Sequence, residues 1–275
     1  MVYADLHVHT NHSDGTMSIE KVFALAQENG IHAVAITDHD TIDHYQEIVT
    51  LAKTYDIETI RGVEMSCYDG EVFKKVHIVG LWLNDHVPHI KKLCQETLKC
   101  RDTYHHHLIE LLNQKGYDIS YEDAKIFAPY NIVFKIHIFL ALMKKYPQDM
   151  TIKKYRELFA GPTSKEVDSQ MGYIDIQEGI HAIHEDGGIA ILAHPCEYDN
   201  YDEIEKYVSY GLDGIEISHP SMKEVDYPKT LDLAGRFHLL ESGGSDFHDS
   251  QLTILGQYGL TKEQYELLRR KVHKL

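Results

Sequence analysis

Nine residues of this chain are of types that bind transition metals, and each falls in or just after a short apolar run: His7, His9, Asp14, His39, Glu64, His77, His194, Asp246 and His248. Side chains two apart in a strand share a face, so His7 and His9 can reach one ion together, with Asp5 and Asp14 adding carboxylate oxygens. Imidazole with carboxylate suits Zn, Fe or Mn better than Ca or Mg. Nine such ligands exceed the four of a closed structural zinc site and suit two or three ions that share a carboxylate. Clusters of that kind activate water and clamp phosphoryl oxygens. Taken singly, each residue has a plainer explanation. His39 in Thr37-Asp38-His39-Asp40 could open a helix with its neighbours as caps. His77 could be a hydrogen-bonded core histidine. His194-Pro195 and His219-Pro220 could simply end strands. It is their recurrence at one strand end after another that argues for a joint site.

Those positions need strands that deliver side chains to one rim. The run 1–6 is the first. Ser18 caps an amphipathic helix on Ile19, Val22, Phe23 and Ala26, closed by Gly30. Strands are expected at 33–37, at 57–63 with Glu64 at its end, and at 76–83 after a turn at Asp69-Gly70; a helix covers 42–55. From 85 to 173 the alternation stops. Helices at 90–113, 131–146 and 152–159, with loops at Pro88, Pro129, Pro147 and Gly161-Pro162, predict a helical insertion or cap. Residues 1–84 and 174–275 are then one split β/α domain. Alternation resumes with a helix over 176–185, strands at 189–193, 214–218 and 238–242, and helices at 202–210 and 223–236. Thr261-Lys262-Glu263-Gln264 is a capping-box opening for a last helix. Seven strands with polar ends predict an α/β protein, a seven-stranded β/α barrel with its chemistry at the C-terminal rim. A doubly wound sheet would gather the site at a single crevice instead.

Composition narrows the function. The 275 residues include 20 His but only 4 Cys, and 27 Lys+Arg against 43 Asp+Glu give a formal charge of −16. That balance argues against a grip on long nucleic acid. It leaves room for a small anionic substrate, because bound divalent ions reverse the local sign. Cys67, Cys94, Cys100 and Cys196 form no metal-binding pair or disulfide framework, which predicts a reduced, cytoplasmic setting. There is no signal-peptide pattern and no apolar run near the ~18 residues that a membrane span needs. His12, His44 and the run His105-His106-His107 read as surface residues.

The segments D-L-H-V-H-T, T-D-H-D, G-V-E, H-I-V-G, A-H-P and G-S-D-F-H, in this order, resemble the PHP (polymerase and histidinol phosphatase) family over residues 1–83 and 176–256. The resemblance implies a distorted seven-stranded barrel of the amidohydrolase-like group that hydrolyses phosphoesters with two or three metal ions. It also implies a ligand partition. His7, His9, Glu64 and Asp246 would hold one ion, and Glu64 would bridge to a second held with His77 and His194. Asp14, His39 and His248 would hold a third. The insertion, followed by G-L-D-G-I-E-I-S-H-P, looks most like the subgroup that removes the 3′-phosphate of nucleoside 3′,5′-bisphosphates or acts on related short nucleotides.

Two departures bear on the substrate. Lys135-Ile136-His137-Ile138-Phe139-Leu140 stands where the subgroup carries an Arg-Pro-His-Ile-Ala-Arg-like stretch, and Ser221-Met222 follows His219-Pro220 where Ser-His is usual. Lysine meets phosphate as a point charge without arginine's bidentate fork. The expected mechanism is in-line attack of a metal-bridging hydroxide on a small phosphomonoester. His219 and Asp246 are the catalytic candidates, His219 for phosphate contact or leaving-group protonation; Lys135, His137 and His219 are the substrate contacts. Histidinol phosphate, a C–N or C–O bond, or nucleotide binding without catalysis are the competing functions. The complete ligand set argues against the last, and Glu64 in the bridging place, where an amidohydrolase would use lysine, argues against the second.

Overall fold

Short apolar runs build the strands. The computed structural model describes residues 1–159, 171–250 and 253–274, so the expected loop at Gly161-Pro162 lies outside the described residues. In chain order the elements are β1 (Ala4–Val8), α1 (Ile19–Glu28), β2 (Ala33–Ile36), α2 (Tyr45–Tyr55), β3 (Glu58–Asp69) and β4 (Lys74–Leu81). Helices α3 (Pro88–Gln114), α4 (Tyr121–Lys125), α5 (Lys135–Lys145) and α6 (Ile152–Phe159) follow, then β5 (Ile174–Asp175), α7 (Ile176–Glu185), β6 (Ile189–Leu192) and α8 (Pro195–Tyr198). A 3₁₀ turn (Tyr201–Glu203), α9 (Ile204–Ser209), β7 (Gly214–Ser218), α10 (Asp226–Arg236), β8 (Leu240–Gly243) and α11 (Lys262–Val272) complete the chain.

The strands run β1-β2-β3-β4-β6-β7-β8, with the two-residue β5 beside β3. Strands β1, β2 and β6 are buried along their whole length, as strands covered on both faces must be. Val8 bridges to Phe247 just past β8, and His9 N–H donates to Phe247 O at 2.8 Å, so the seven strands make a nearly closed barrel. All neighbours on this path are parallel except β4, which is antiparallel to both β3 and β6. That reversal matters. The first half of β4 lies at the rim where its neighbours end, which brings His77 level with the end of β6.

Several expectations are corrected here. Glu64 is not at a strand end; β3 continues to Asp69 because it pairs with β4 in a long hairpin. Helix α2 starts at Tyr45, and the helix expected over 202–210 opens as a 3₁₀ turn. His12, His44 and His105 are buried. His44 Nε2 lies 2.9 Å from Asp38 Oδ2, and the His12 ring stacks on it at 4.0 Å.

Helices α3 to α6 carry an apolar cluster of their own around Tyr104, Leu108, Leu112, Ile138 and Leu142. The first turns of α3 belong to the barrel's core instead, through Ile90 and Cys94 against Ile176 and Ile180 of α7. Helix α3 is therefore shared, and it carries residues of the 88–159 stretch to the rim. Among the described residues no helix is long and apolar enough to cross a membrane.

Candidate metal centre

His7 in β1 and His9 just past it both reach the centre, while Val8 between them packs with Val22 and Phe23 of α1. Leu6 joins Ala33, Ile60 and Ile191 in the core shared by the strands, and the register of β1 shifts between Asp5 and Val8. The Nε2 atoms of His7 and His9 lie 3.1 Å apart. Glu64 Oε2 is 3.1 Å from the first and 3.0 Å from the second, and Asp246 Oδ1 is 3.4 and 3.2 Å from them. An ion about 2.1 Å from each donor would set donors about 3.0 to 3.4 Å apart, so these four atoms frame a cation. Glu64 uses its other oxygen differently: Oε1 is 2.9 Å from His77 Nδ1 and 2.9 Å from His194 Nε2, while His39 Nδ1 is 3.3 Å from Oε2. A third set gathers around Asp14, with His248 Nε2 at 3.3 Å, His9 Nδ1 at 3.5 Å and His39 Nε2 at 3.8 Å. The structure thus brings together all nine residues singled out from the sequence.

The donors suit divalent ions. His9 Nδ1, His39 Nδ1, Asp14 Oδ1 and Glu64 Oε2 are buried without a hydrogen-bond partner, a cost that coordination would remove. Electrostatics agree. Burial disfavours the charged forms of Glu64, Asp14 and Asp246, yet the surrounding imidazoles hold all three carboxyls well below their usual range. Burial also opposes charge on His194 and His248, but Glu64 raises the first to about 9, and Asp14 and Asp246 raise the second to about 10. Burial pushes His39 down to about 4 in spite of Glu64 and Asp14. A pocket that favours imidazolium beside carboxylate is one that favours cations, and metal entering it would displace those protons.

Backbone geometry supports the cluster. His194 (φ 26°), Asp40 (φ 54°) and Asp246 (φ 47°) occupy left-handed conformations, each costing about 1–3 kcal/mol, concentrated at the rim. Gly244 is required because a Cβ there would meet His7 N and Cβ at 2.4 Å.

Not every expected residue faces the centre. Asp5 does not add a ligand oxygen. It accepts from Ser245 N and Oγ, Gly256 N and His7 N, fixing the loop after β8, and burial pushes its carboxyl up to about 6 against those bonds. His219 sits beside the cluster, its ring 5.1 Å from that of His194 and 6.1 Å from that of His7, with Nε2 3.3 Å from Asp246 Oδ2 and Nδ1 accepting from Ser221 N–H. His137 caps α5, its Nδ1 accepting from Phe134 N–H at 3.0 Å. Lys135 donates to Phe159 O at 3.1 Å and lines the pocket over the centre, together with Lys75, Arg101, Phe134, Tyr155, Tyr173 and Tyr198.

Two residues escaped the sequence reading. Glu216, in the middle of β7, accepts from His7 Nδ1 at 2.8 Å and from His194 N–H at 2.7 Å, so it fixes which nitrogen of His7 faces the cluster. A lone carboxylate inside the apolar run Gly214-Ile215-Glu216-Ile217 was its signal. Glu216→Gln is expected to weaken metal affinity about 10- to 100-fold, because its NH₂ would face one of the two N–H groups that Glu216 now accepts from, as read by metal titration of the chelated protein. Arg101 on α3 is the second, bound to Asp40 and Ser66.

A family model, the PHP domain, matches residues 5–179. The phosphoribosyl 1,2-cyclic phosphate 1,2-diphosphodiesterase of Eggerthella lenta is 34% identical, covering 89% of this chain and 93% of its own. A 5′-3′ exoribonuclease of Haemophilus influenzae is 31% identical, covering 89% of each. The 3′,5′-nucleoside bisphosphate phosphatase of Chromobacterium violaceum is 27% identical over 90% of this chain and 88% of its own. Among solved structures, one from Bifidobacterium adolescentis superposes with a TM-score of 0.84 over 97% of this chain and 95% of the other, at 24% identity.

Proposed function

The chain belongs to the PHP domain family and is a metal-dependent phosphoesterase, and from that premise we propose that it hydrolyses a small ribose-phosphate ester bearing a second anionic group. The 3′-phosphate of a nucleoside 3′,5′-bisphosphate, or a related short nucleotide, is the substrate that fits best. The observation that carries this reading is the pocket over the centre. Lys75, Arg101 and Lys135 supply three cations and Phe134, Tyr155 and Tyr173 supply rings, on one side of His39 and His77. Cations beside aromatics suit a phosphate attached to a nucleoside. Relatives named for a cyclic phosphoribosyl ester, RNA and a nucleoside bisphosphate share that ribose-phosphate chemistry.

Two or three ions would be held. His7, His9, Glu64 and Asp246 would take one, and Glu64 with His77 and His194 a second. Asp14, His39 and His248 would take a third, and the imidazole–carboxylate donors suit Mn, Fe or Zn. Bound there, such ions supply charge for the phosphoryl oxygens and an activated water. The protein's part is positioning. Glu216 orients His7, and His219 braces Asp246. Arg101 and Lys135 hold the substrate's far phosphate, which fixes the ester phosphorus over the cluster. We read 85–173 as the cap that brings these two residues to the barrel. All four cysteines are free, which suits a cytoplasmic enzyme.

Phosphate release by the Mn-reconstituted protein from adenosine 3′,5′-bisphosphate, AMP and histidinol phosphate tests this, with a 5′-phosphorylated oligoribonucleotide alongside. Preference for the bisphosphate, abolished in His194→Ala, is expected. Faster turnover of AMP or histidinol phosphate would overturn the second-anion reading, and release of nucleotides from the oligomer at a greater rate would favour the exonuclease function.

A further inference from the structure

An ester oxygen leaving phosphorus needs a donor on the side where the substrate's body lies. That side is the pocket of Lys75, Arg101 and Lys135, and His219 is not among the residues that line it; its side chain is 1% exposed, with Nε2 3.3 Å from Asp246 Oδ2. Tyr198 does line it.

Its position is dictated by the chain. Helix α8 is a single turn that begins directly after His194, so Tyr198 rides on the same short element as that imidazole. Its ring packs edge-on against two rings of the centre, His77 at 5.2 Å and 66° and His194 at 5.7 Å and 70°. These are the two imidazoles that meet Glu64 Oε1. Tyr198 therefore borders both the cluster and the pocket. Among the described residues its hydroxyl has no hydrogen-bond partner, unlike the neighbouring Ser66 and Arg101, which bond each other. A phenol at a pocket wall with an unused O–H is a donor waiting for an acceptor.

We propose that Tyr198 is the hydrogen-bond donor to the leaving-group oxygen. As water oxygen bonds to phosphorus, the ester P–O bond breaks and negative charge grows on the departing oxygen. Tyr198 Oη–H hydrogen-bonds that oxygen and keeps its own proton. Of the water's two protons, one stays with the phosphate and the other ends on the alcohol, so ROPO₃²⁻ and H₂O give ROH and HPO₄²⁻. A donor aimed at developing charge acts more strongly in the transition state than in the ground state. The inference rests on the proposed seat of the substrate in this pocket, and not on the substrate's being a nucleotide.

Tyr198→Phe tests it, because phenylalanine preserves the ring packing against His77 and His194. The comparison uses two esters without a nucleoside, glycerol 2-phosphate with an alkoxide leaving group and p-nitrophenyl phosphate with a phenolate that leaves unaided. The expected result is a fall in kcat of about 10²-fold on the alkyl ester and a small fall on the aryl ester, with metal content and melting temperature unchanged. Equal losses on both esters would assign the hydroxyl to the phosphoryl group and overturn the proposal. So would no loss on either, or a loss that follows reduced metal content, since each would make Tyr198 a packing residue. Wild-type hydrolysis of both esters without any of adenosine 3′,5′-bisphosphate would defeat the nucleotide assignment and leave this comparison intact.

Discussion

Glutamine in place of Glu64 is expected to lower phosphate release at least about 10³-fold and to strip the protein of most of its bound metal. Five imidazoles converge on this one carboxylate: His7, His9 and His39 on Oε2, and His77 and His194 on Oε1, all within 3.3 Å. Glu64 is 1% exposed, enclosed by these rings. Its amide replacement keeps the shape but removes the negative charge and turns one oxygen into an NH₂ donor, which faces nitrogens whose lone pairs would coordinate. Two ions sharing Glu64, as proposed, would then lose a ligand at once, and losing both cations would remove the charge that makes the phosphoryl group electrophilic. Elemental analysis beside a phosphate assay checks this. A variant that keeps its metals and more than a tenth of its rate would show that Glu64 does not join the two sites.

Much of this arrangement is legible in the sequence because strand periodicity is local. His7 and His9 share a face by counting, and the polar residues after short apolar runs collect wherever parallel strands end together. What is not local is hidden. Glu64 lies inside β3, since the β3–β4 hairpin extends the strand five residues past it, to Asp69. His12, His44 and His105 read as surface because nothing adjacent in sequence buries them. His12 is covered by Tyr130, whose ring stacks on it at 3.5 Å from a segment more than a hundred positions away. Asp38 and Asp40 read as helix caps, yet Asp38 accepts from Thr10 N, Thr10 Oγ and Ser13 Oγ, holding the loop after β1. Glu216 and Arg101 were missed for the same reason: a charged residue announces its partner only when the fold brings that partner near.

Arg101→Met is expected to cost about 3–5 kcal/mol of stability, whereas Asp40→Asn combined with Arg101→Met recovers a large part of it. Asp40 is fully buried, with Oδ2 2.5 Å from Arg101 Nη2 and Oδ1 accepting from Ser66 N–H at 2.9 Å. Removing the guanidinium alone leaves a carboxylate out of water with one backbone N–H for company. Removing both charges leaves an amide that can still accept from Ser66, beside a methionine able to pack on Phe134, where the guanidinium now lies 4.5 Å from the ring centroid. Denaturant melts of the two single variants and the double variant measure the coupling. The same cycle separates structure from binding. Arg101 Nη2 is committed to Asp40 and Ser66 and Nε is buried, which leaves Nη1 to meet a ligand in the pocket that Arg101 lines. A double variant restored in stability but with a raised KM for adenosine 3′,5′-bisphosphate would place Arg101 on the substrate's second phosphate. One restored in both would make the Asp40–Arg101 pair a tie between α3 and the barrel and nothing more.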